Sequence, residues 1–594
     1  MTTTPSATTP TTPSTSALVD PARTEPRAPD RTGAEHTRAE HTAPEHAALE
    51  HAGPTYDVVV VGSGSAAFAT AIGAADEGLS VLLLESTDKW GGSSAMSGGG
   101  QWLPNNAVMQ RDGVADSREE ALEYLELTVG DEGQSTSRAR KEAFVDGVAD
   151  WVDTTECYGI TWARAKEYPD YYPELPGGKI GRALEVKPVD SKKIGDWWDS
   201  ARAMMPLPIM TDDVWQIVRS WSTVDGMQRG VRLVTRILGG VVTGKRLVGI
   251  GAGLMTALFD VAVQQQGSEL WLDAKVTDLI VEDGRVVGVQ VERAGREMTV
   301  RARRGVMLAA GGFDHNTDMR QKHHGIEGDP SGGPGNLGQV HQIAARHGAA
   351  MELMDDAWWG ASISGVGEHD PGFLVGERSL PYMLIVDAQG RRFANEAESY
   401  VDLGHRMLEH LEHNPSGIYW MVSDIRHARR YLRSYAMDPR VNKEMEEAGL
   451  RVVAPTLAEL AVKTGLDAET FKATIQRFNG FARAGIDADF GKGNSAYDRY
   501  YGDPTVHPNP CLGPVERGPF TAYRVVIGDL GTKGGVVTDE WARALREDGS
   551  VIEGLYAAGN VSASVMGRTY PGPGSTIGPA VVFGMIAGRH MARG

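Results

Sequence analysis

A glycine-rich turn and a carboxylate carry the first chemical signal. Gly62-Ser63-Gly64-Ser65-Ala66-Ala67 follows directly on a β-branched run, Asp57 to Val61, and Glu85 closes the next apolar run, Val81 to Leu84. A turn of this kind between a strand and a helix brings backbone N–H groups against a pyrophosphate and aims the helix N-terminus at its charge. Gly62 permits the tight turn, and Gly64 lets the backbone approach the phosphates. Ser65 and Ala66 open the helix. Ala67 stands where a third glycine is usual, but that position needs only close helix–strand packing, which alanine allows. Glu85 lies at the end of its strand, where a carboxylate accepts both hydroxyls of an adenosine ribose. Glycine recurs in Gly91-Gly92-Ser93 and in Ser97-Gly98-Gly99-Gly100, which lets a second backbone segment pass close to a cofactor.

These residues need a βαβ unit to hold them. The strand at 57–61, a small-residue helix running through Ala71 and Ala75 to Gly78, and the strand at 81–84 supply one. Alternating strands follow from about Val276 to Arg301, where Asp283-Gly284 is a strong hairpin signal and Ala294-Gly295 a weaker one. A buried strand from Gly305 to Ala310 runs into Gly311-Gly312, and Leu555 to Gly559-Asn560 repeats that strand-into-glycine pattern. The stretch 355–525 lacks such strands and reads as a separate domain. Residues 198–260 hold apolar turns with scattered Arg and Lys; they read as a helical cover over the core, with contact to a membrane surface as the alternative. Residues 1–54 read as a disordered, low-complexity tail, rich first in Thr, Pro and Ser and then in a Glu-His pair every five residues, from Glu35-His36 to Glu50-His51. A step of five turns a helix by ~140°, so those histidines share no helix face and predict no metal site.

Composition narrows the function classes. A chain of 594 residues exceeds one compact core. Apolar residues at 41% and charged residues at 23% are ordinary for globular proteins, and a net charge of -19 argues against nucleic acid as a partner. No run reaches the ~20 apolar residues of a membrane-spanning helix, and the N-terminus lacks the basic-then-apolar pattern of a secretory signal. The two cysteines, Cys157 and Cys511, make neither a disulfide framework nor a metal cluster, so the chain reads as cytoplasmic.

The strand ending Ala309-Ala310-Gly311-Gly312 resembles the one that closes the FAD domain of two-dinucleotide-fold flavoproteins, and Ala557-Ala558-Gly559-Asn560 resembles their C-terminal return to the flavin. The likeness becomes specific in longer strings. Among them are Pro169-Asp170-Tyr171-Tyr172-Pro173-Glu174, Met354-Asp355-Asp356-Ala357-Trp358-Trp359-Gly360, Arg392-Phe393-Ala394-Asn395-Glu396 up to Tyr400, Gly528 to Gly535, and Tyr570-Pro571-Gly572-Pro573-Gly574-Ser575-Thr576-Ile577-Gly578. In these the chain, from Tyr56 onward, resembles the bacterial 3-ketosteroid Δ1-dehydrogenases, relatives of the flavin-dependent fumarate reductases. Glu398 and Ser399, just before Tyr400, depart from the family's common wording, so the loop there is expected to pack differently.

The resemblance implies an α/β fold: a Rossmann-type FAD-binding domain from 55–354 and 526–594, with an inserted α+β catalytic domain at 355–525 and the site at their interface. It implies noncovalent FAD, held by the glycine turns together with Glu85, Ala310, Gly311, Gly559, Asn560 and a helix opening at Ser575-Thr576-Ile577. It implies a 3-ketosteroid substrate oxidised across C1 and C2, and an electron acceptor that is unidentified, a quinone being one option. Tyr570 and the N–H of Gly574 would hold the C3 oxygen, Tyr400 would take the C2 proton as a phenolate supported by Tyr171, and a hydride would pass from C1 to flavin N5. Trp358, Trp359 and Phe313 are candidates for apolar pocket walls. The alternatives are a 4,5-desaturation of the same steroids, reduction of a small unsaturated acid in the manner of fumarate reductase, and a flavin-binding protein without the chemistry. The acid reductase would need a cluster of cations, and Arg568 alone is not one.

Overall fold

In the computed structural model, which describes residues 53–203, 206–367 and 369–594, strand β1 (Thr55–Val61) carries four successive buried valines, Val58 to Val61. A strand buried on both faces belongs in the middle of a parallel sheet. β1 leads through helix α1 (Ser65–Asp76) to β2 (Val81–Leu84), which runs parallel to it with Val58 opposite Val81. This is the expected βαβ unit. Of the tail at 1–54, only Gly53 and Pro54 fall within the described residues, and the Glu-His pairs lie outside them.

After several further helices and short strands the chain forms α2 (Thr211–Ile217) and α3 (Val224–Val242). α2 packs as a cover over the interior, but α3 corrects the expectation for this stretch: its apolar side chains, Val231, Leu238 and Val241 among them, face solvent. The sheet resumes with β3 (Glu269–Trp271), parallel to β2, and with the antiparallel strands β4 (Ala274–Glu282), β5 (Arg285–Arg293) and β6 (Arg296–Leu308). Both hairpins turn where the sequence predicts, at Asp283-Gly284 and Ala294-Gly295, all four residues having positive φ as a two-residue turn requires. The end of β6 then pairs in parallel with β1, Gly305 opposite Val58.

A second sheet follows. β7 (Ala357–Ile363), β8 (Met383–Asp387), β9 (Tyr419–Ser423) and β10 (Arg451–Ala454) gather on the long strand β11 (Phe520–Thr532), which pairs directly with β7, β9 and β10. Helix α4 (Tyr400–Glu409) packs on β7, where Gly404 lets it approach Trp359. The chain then returns to the first sheet with β12 (Arg543–Leu545) and β13 (Val551–Ala557), the latter parallel to β6 with Val306 opposite Leu555. Among the described residues that sheet has eight strands, in the order β12-β13-β6-β1-β2-β3, with β5 attached to β6 and β4 to β5.

Helix α5 (Ile577–Arg593) ends the chain and lies against α1. The contact is backbone-close: a Cβ on Gly584 or Gly588 would stand 2.6 or 2.5 Å from carbonyl oxygens of α1. Three strands that end in glycine, β1, β6 and β13, thus lie side by side and point the same way.

Candidate active site

A cavity of about 480 Å³ opens at the carboxyl ends of these parallel strands, the usual ligand position in such sheets. Gly62, Glu85, Ala310, Gly311, Gly559 and Asn560, which end or follow β1, β2, β6 and β13, all line it. At Gly62 (φ +111°) a Cβ would stand 2.3 Å from the Ala309 carbonyl oxygen, so the turn itself demands glycine. At Gly64 the nearest atom to a Cβ is Ser94 Oγ at 3.7 Å, so the space there belongs to the cavity. Ser65, Ala66, Gly92, Ser93, Ser97, Gly98 and Gly99 complete this half. Ser93 Oγ accepts from Gly333 N (2.8 Å) and Asn336 Nδ2 (3.0 Å), which ties the second glycine run to a further loop. Thr87 N (3.0 Å) and Thr87 Oγ1 (2.9 Å) donate to one oxygen of Glu85, and Ser63 Oγ donates to the other. This half fits FAD: bare backbone where phosphates would lie and an oriented carboxylate where a ribose would lie.

At the other end Tyr171, Tyr400 and Tyr570 converge. Tyr171 stacks on Tyr570 with ring centroids 5.0 Å apart, Tyr400 lies 4.9 Å from Tyr570, and Tyr171 meets Tyr400 edge-on at 5.5 Å. Distant pieces of chain bring them together. Pro571 O accepts from Tyr171 N (2.9 Å) and from Tyr124 Oη (2.7 Å), so the Tyr171 loop is tied to the Tyr570 loop. The Tyr171 loop is anchored by buried Asp170, which accepts from Trp102 Nε1 (2.8 Å) and Arg182 Nη1 (2.7 Å). Arg182 is buried too and also pairs with Asp116, so both charges are compensated.

Tyr400 begins α4. The loop before it is held by the buried guanidinium of Arg378, which donates to the carbonyls of Glu396, Glu398 and Leu374. The unusual residues there have structural roles. Glu398 accepts from Arg406 Nε (2.8 Å), with its carboxyl pushed up to about 8 by burial, and Ser399 stands buried at the N-cap position of the helix without a side-chain cap bond. Behind Tyr570, Trp358 meets its ring edge-on at 5.3 Å and carries the Lys533 ammonium 4.8 Å over its face. Lys533 pairs with Asp356 (3.0 Å), which also meets His405 (2.7 Å). Burial raises the Asp356 carboxyl, but Lys533 and the bond to His405 more than offset it and hold it at about 2.

Burial raises the phenol pKa of all three tyrosines, for Tyr171 and Tyr400 well above the ordinary value. Bonds from Thr576, Tyr400 and the Gly574 backbone pull Tyr570 the other way. Tyr570 Oη lies 3.2 Å from Thr576 Oγ1. Gly574 has φ +93°, and a Cβ there would meet Gly100 O at 2.3 Å, so this turn also requires glycine.

Several expected positions lie elsewhere. Trp358, Trp359 and Phe313 are core residues, not cavity walls. Trp358 is covered as described, Trp359 packs against Arg320 and His324, and Phe313 is enclosed by His323, His324 and His341. Phe373, Val375, Val214, Trp215, Leu530 and Tyr168 line the cavity instead. Ala67, Gly91 and Ser575 do not line it. Ala67 is fully buried in helix packing, Gly91 donates from N to Ser63 Oγ (3.0 Å), and Ser575 Oγ closes the turn on Gly572. The hydroxyl partner of Tyr171 is Tyr168 at 3.4 Å, and Tyr168 also bonds Tyr501. Tyr168 precedes Tyr171 by three residues, a spacing that marks it in retrospect. Phe373 and Trp215 carry no such mark. Arg568 pairs with Asp355 and Glu132 and is not at the cavity.

Glycine turns on parallel strands, joined to a cluster of buried tyrosines, define a flavoprotein oxidoreductase. A family model for the FAD binding domain matches residues 57–577. The chain is 43% identical over 567 residues to the 3-oxosteroid 1-dehydrogenase of Mycolicibacterium smegmatis, covering 91% of this chain and 98% of that one. It is 34% identical to 4-oxocyclohex-2-ene-1-carboxylate 5-dehydrogenase of Sinomonas cyclohexanicum, covering 90% and 94%. The crystal structure of 3-ketosteroid Δ1-dehydrogenase from Sterolibacterium denitrificans, in complex with 1,4-androstadiene-3,17-dione, superposes with a TM-score of 0.85 at 36% identity, over 91% of this chain and all of that one. The chain belongs to the 3-oxosteroid 1-dehydrogenase family of FAD-binding proteins.

Proposed function

We propose that the protein desaturates 3-ketosteroids between C1 and C2. The observation that carries this reading is the convergence of Tyr171, Tyr400, Tyr570 and Gly574 at one end of a cavity whose other end is a glycine cradle. FAD, when bound, supplies the acceptor for the electron pair and hydrogen that leave C1. Gly62, Gly64 and the Ser93 segment would hold its pyrophosphate, Glu85 its ribose, and the start of α5 at Thr576 and Ile577 its ring system.

The protein's own groups handle the proton and the carbonyl. Tyr570 and the N–H of Gly574 donate to the C3 oxygen, where negative charge grows as the C2 proton leaves. Both donors are held before substrate arrives, Tyr570 by its neighbours and Gly574 by its turn. Tyr400 takes the C2 proton. Its phenol is held protonated by burial, so the reactive phenolate is a minor species that needs help. Two features supply it: the position of Tyr400 at the first residue of α4, where the helix dipole favours an anion, and Tyr171, whose ring lies edge-on 5.5 Å away and whose hydroxyl would turn to it.

Substrate class follows from the lining. Phe373, Val375, Val214, Trp215 and Leu530 suit a large apolar body with one polar handle. The cationic lining residues are Arg202, which donates to Thr87, and Lys275 of β4, both on the Glu85 side. A ring ketone bearing a carboxylate would find no counter-charge among the tyrosines, and neither would a dicarboxylate.

The glycine-ended strands act as a Rossmann-type domain, 55–354 and 526–594, and the stretch 355–525, which supplies the second sheet apart from the end of β11, as an inserted catalytic domain. The reaction belongs to a cytoplasmic enzyme that passes electrons to a further acceptor, of which a quinone is one candidate. Steady-state reduction of a dye by a 3-ketosteroid, compared with a cyclohexanone carboxylate and with fumarate under reducing conditions, tests the reading. Turnover with the steroid alone is expected; turnover with either acid and none with the steroid would overturn it.

A further inference from the structure

We propose that the protein holds a small monovalent anion, of the size of chloride, in a second buried cavity behind the start of α5. The cavity measures about 20 Å³, room for one particle the size of a water molecule. Arg140, Lys533, Ser562, Ser564, Ser575 and Thr576 bring polar side chains to it, and no carboxylate lines it. Arg140 lies on the helix Arg138–Cys157 and is buried. Among the described residues no carboxylate bonds it; Asp539 and Glu352 act only from a distance. Its Nη1 donates to Ser135 O (2.5 Å) and Ala563 O (3.1 Å), its guanidinium lies 4.8 Å over the Phe583 ring, and Nε has no partner. Burial pulls the guanidinium down to about 10, so it is still charged at neutral pH.

An uncompensated buried cation is costly, and the cavity is where compensation fits. Lys533 brings a second buried cation; it pairs with Asp356 at 3.0 Å, which leaves the Arg140 charge unmatched. The hydroxyl of Ser564 accepts from Met566 N (3.1 Å) and keeps its own hydrogen unused. Ser562 and Ser575 are committed, donating to Gly559 O (2.8 Å) and Gly572 O (2.7 Å). α5, of 17 residues, starts beside the cavity and adds the positive end of its dipole. The free groups are thus donors and cations, which call for an occupant that only accepts. A water molecule would fill the volume and leave the charge, whereas polyatomic anions such as sulfate exceed the volume.

This cavity is distinct from the large one. Gly559, Asn560, Thr576 and Ala580 border both, whereas Arg140, Lys533, Ser562 and Ser564 border the small one alone. An anion here ties the helix Arg138–Cys157 to the segment after β13 and to the turn at Lys533, pieces of chain far apart in sequence. Its binding rests on no step of the proposed reaction.

The test uses the flavin-loaded full chain. Crystals grown with sodium bromide should show an anomalous bromine peak in the cavity, against Arg140 and Ser564. In solution, Tm should be higher in sodium chloride than in sodium gluconate at equal ionic strength, and the difference should saturate, as for a ligand of the folded state alone. Arg140→Met should raise the half-saturating chloride concentration at least ~10-fold. Ser564→Ala, which keeps both cations, should raise it less, by ~3-fold or more. A cavity that holds water and gives no bromine signal would overturn the proposal, as would a Tm indifferent to the choice of anion. So would a bromine peak in crystals without chloride dependence in solution, which marks binding at crystal concentration only. A halide effect confined to flavin-free protein would overturn it as well, since the flavin would then be the occupant.

Discussion

In the proposed reaction Tyr400 and Tyr570 act on neighbouring atoms of one substrate ring, and phenylalanine separates their chemistry from their packing. Tyr400→Phe and Tyr570→Phe should each retain flavin and lose ~100-fold or more in turnover, as expected for loss of a general base or an oxyanion donor. Tyr171→Phe should cost less and move the activity profile to higher pH, because a hydroxyl beside the phenolate is gone. For the wild type, a Tyr400 phenol held well above its ordinary pKa means that kcat/KM climbs with pH as the phenolate fraction grows. The same shifts act on stability. Above about pH 10 the unfolded chain releases tyrosine protons that the folded chain keeps, so folding weakens as pH rises further. A kcat/KM that stays flat from neutral pH to pH ~9 would remove Tyr400 as the base. The residue roles came from likeness of whole strings, since an isolated tyrosine looks the same in a site and in a core. The misplaced walls show that limit. Trp358 and Trp359 sit in a fitting string and Phe313 directly follows one, yet apolar type alone does not say whether a ring borders a cavity or packs beneath it.

Elements set the two kinds of glycine apart. Gly62→Ala should lower Tm of the flavin-free protein, because its Cβ collides with the Ala309 carbonyl. Gly64→Val should leave that Tm near wild type and cut retained flavin at least ~10-fold, because its side chain enters the cavity. Equal loss of Tm in both would contradict the assignment of the Gly64 space to cofactor. α2 offers a pH test. Glu185 accepts from Thr211 N (2.8 Å) and Oγ1 (3.0 Å) at the start of this helix, and burial pushes its carboxyl up to about 8. A raised carboxyl favours folding below its unfolded pKa, and the benefit is lost as pH rises to about 8. The Tm of wild type should therefore fall between pH ~5 and 8 more than that of Glu185→Gln, as scanning calorimetry would register; parallel curves would contradict this. Local chemistry made β1, β2 and both hairpins legible, since valine runs and Asp-Gly turns act within a few residues. α3 was legible as part of a helical cover but not in its orientation. The helical period is the same whichever face turns inward, and Asp213 and Glu167, which draw its arginines in, lie on other elements.

At the scale of the whole molecule, the fold joins two distant ends of the chain at one cavity. β13 and α5 return to β1 and α1 after the second sheet has been built, and long-range pairing of that kind leaves no local sequence signal beyond the glycine at each strand end. Cofactor retention should depend on this closure and on no covalent bond, so acid precipitation should release the yellow chromophore from the peptide. A chain beginning at Gly53 should keep flavin content and turnover, since the FAD-binding match starts at residue 57. The central claim is that the tyrosine cluster and the glycine cradle form one dehydrogenation site. Anaerobic mixing of the flavin-loaded protein with a 3-ketosteroid tests it most directly. The account predicts bleaching of the visible flavin band with stoichiometric formation of the 1,2-unsaturated ketone, and a slowing of ~100-fold or more in Tyr400→Phe. A flavin that stays oxidised with several such steroids, or that bleaches equally fast in Tyr400→Phe, would contradict it.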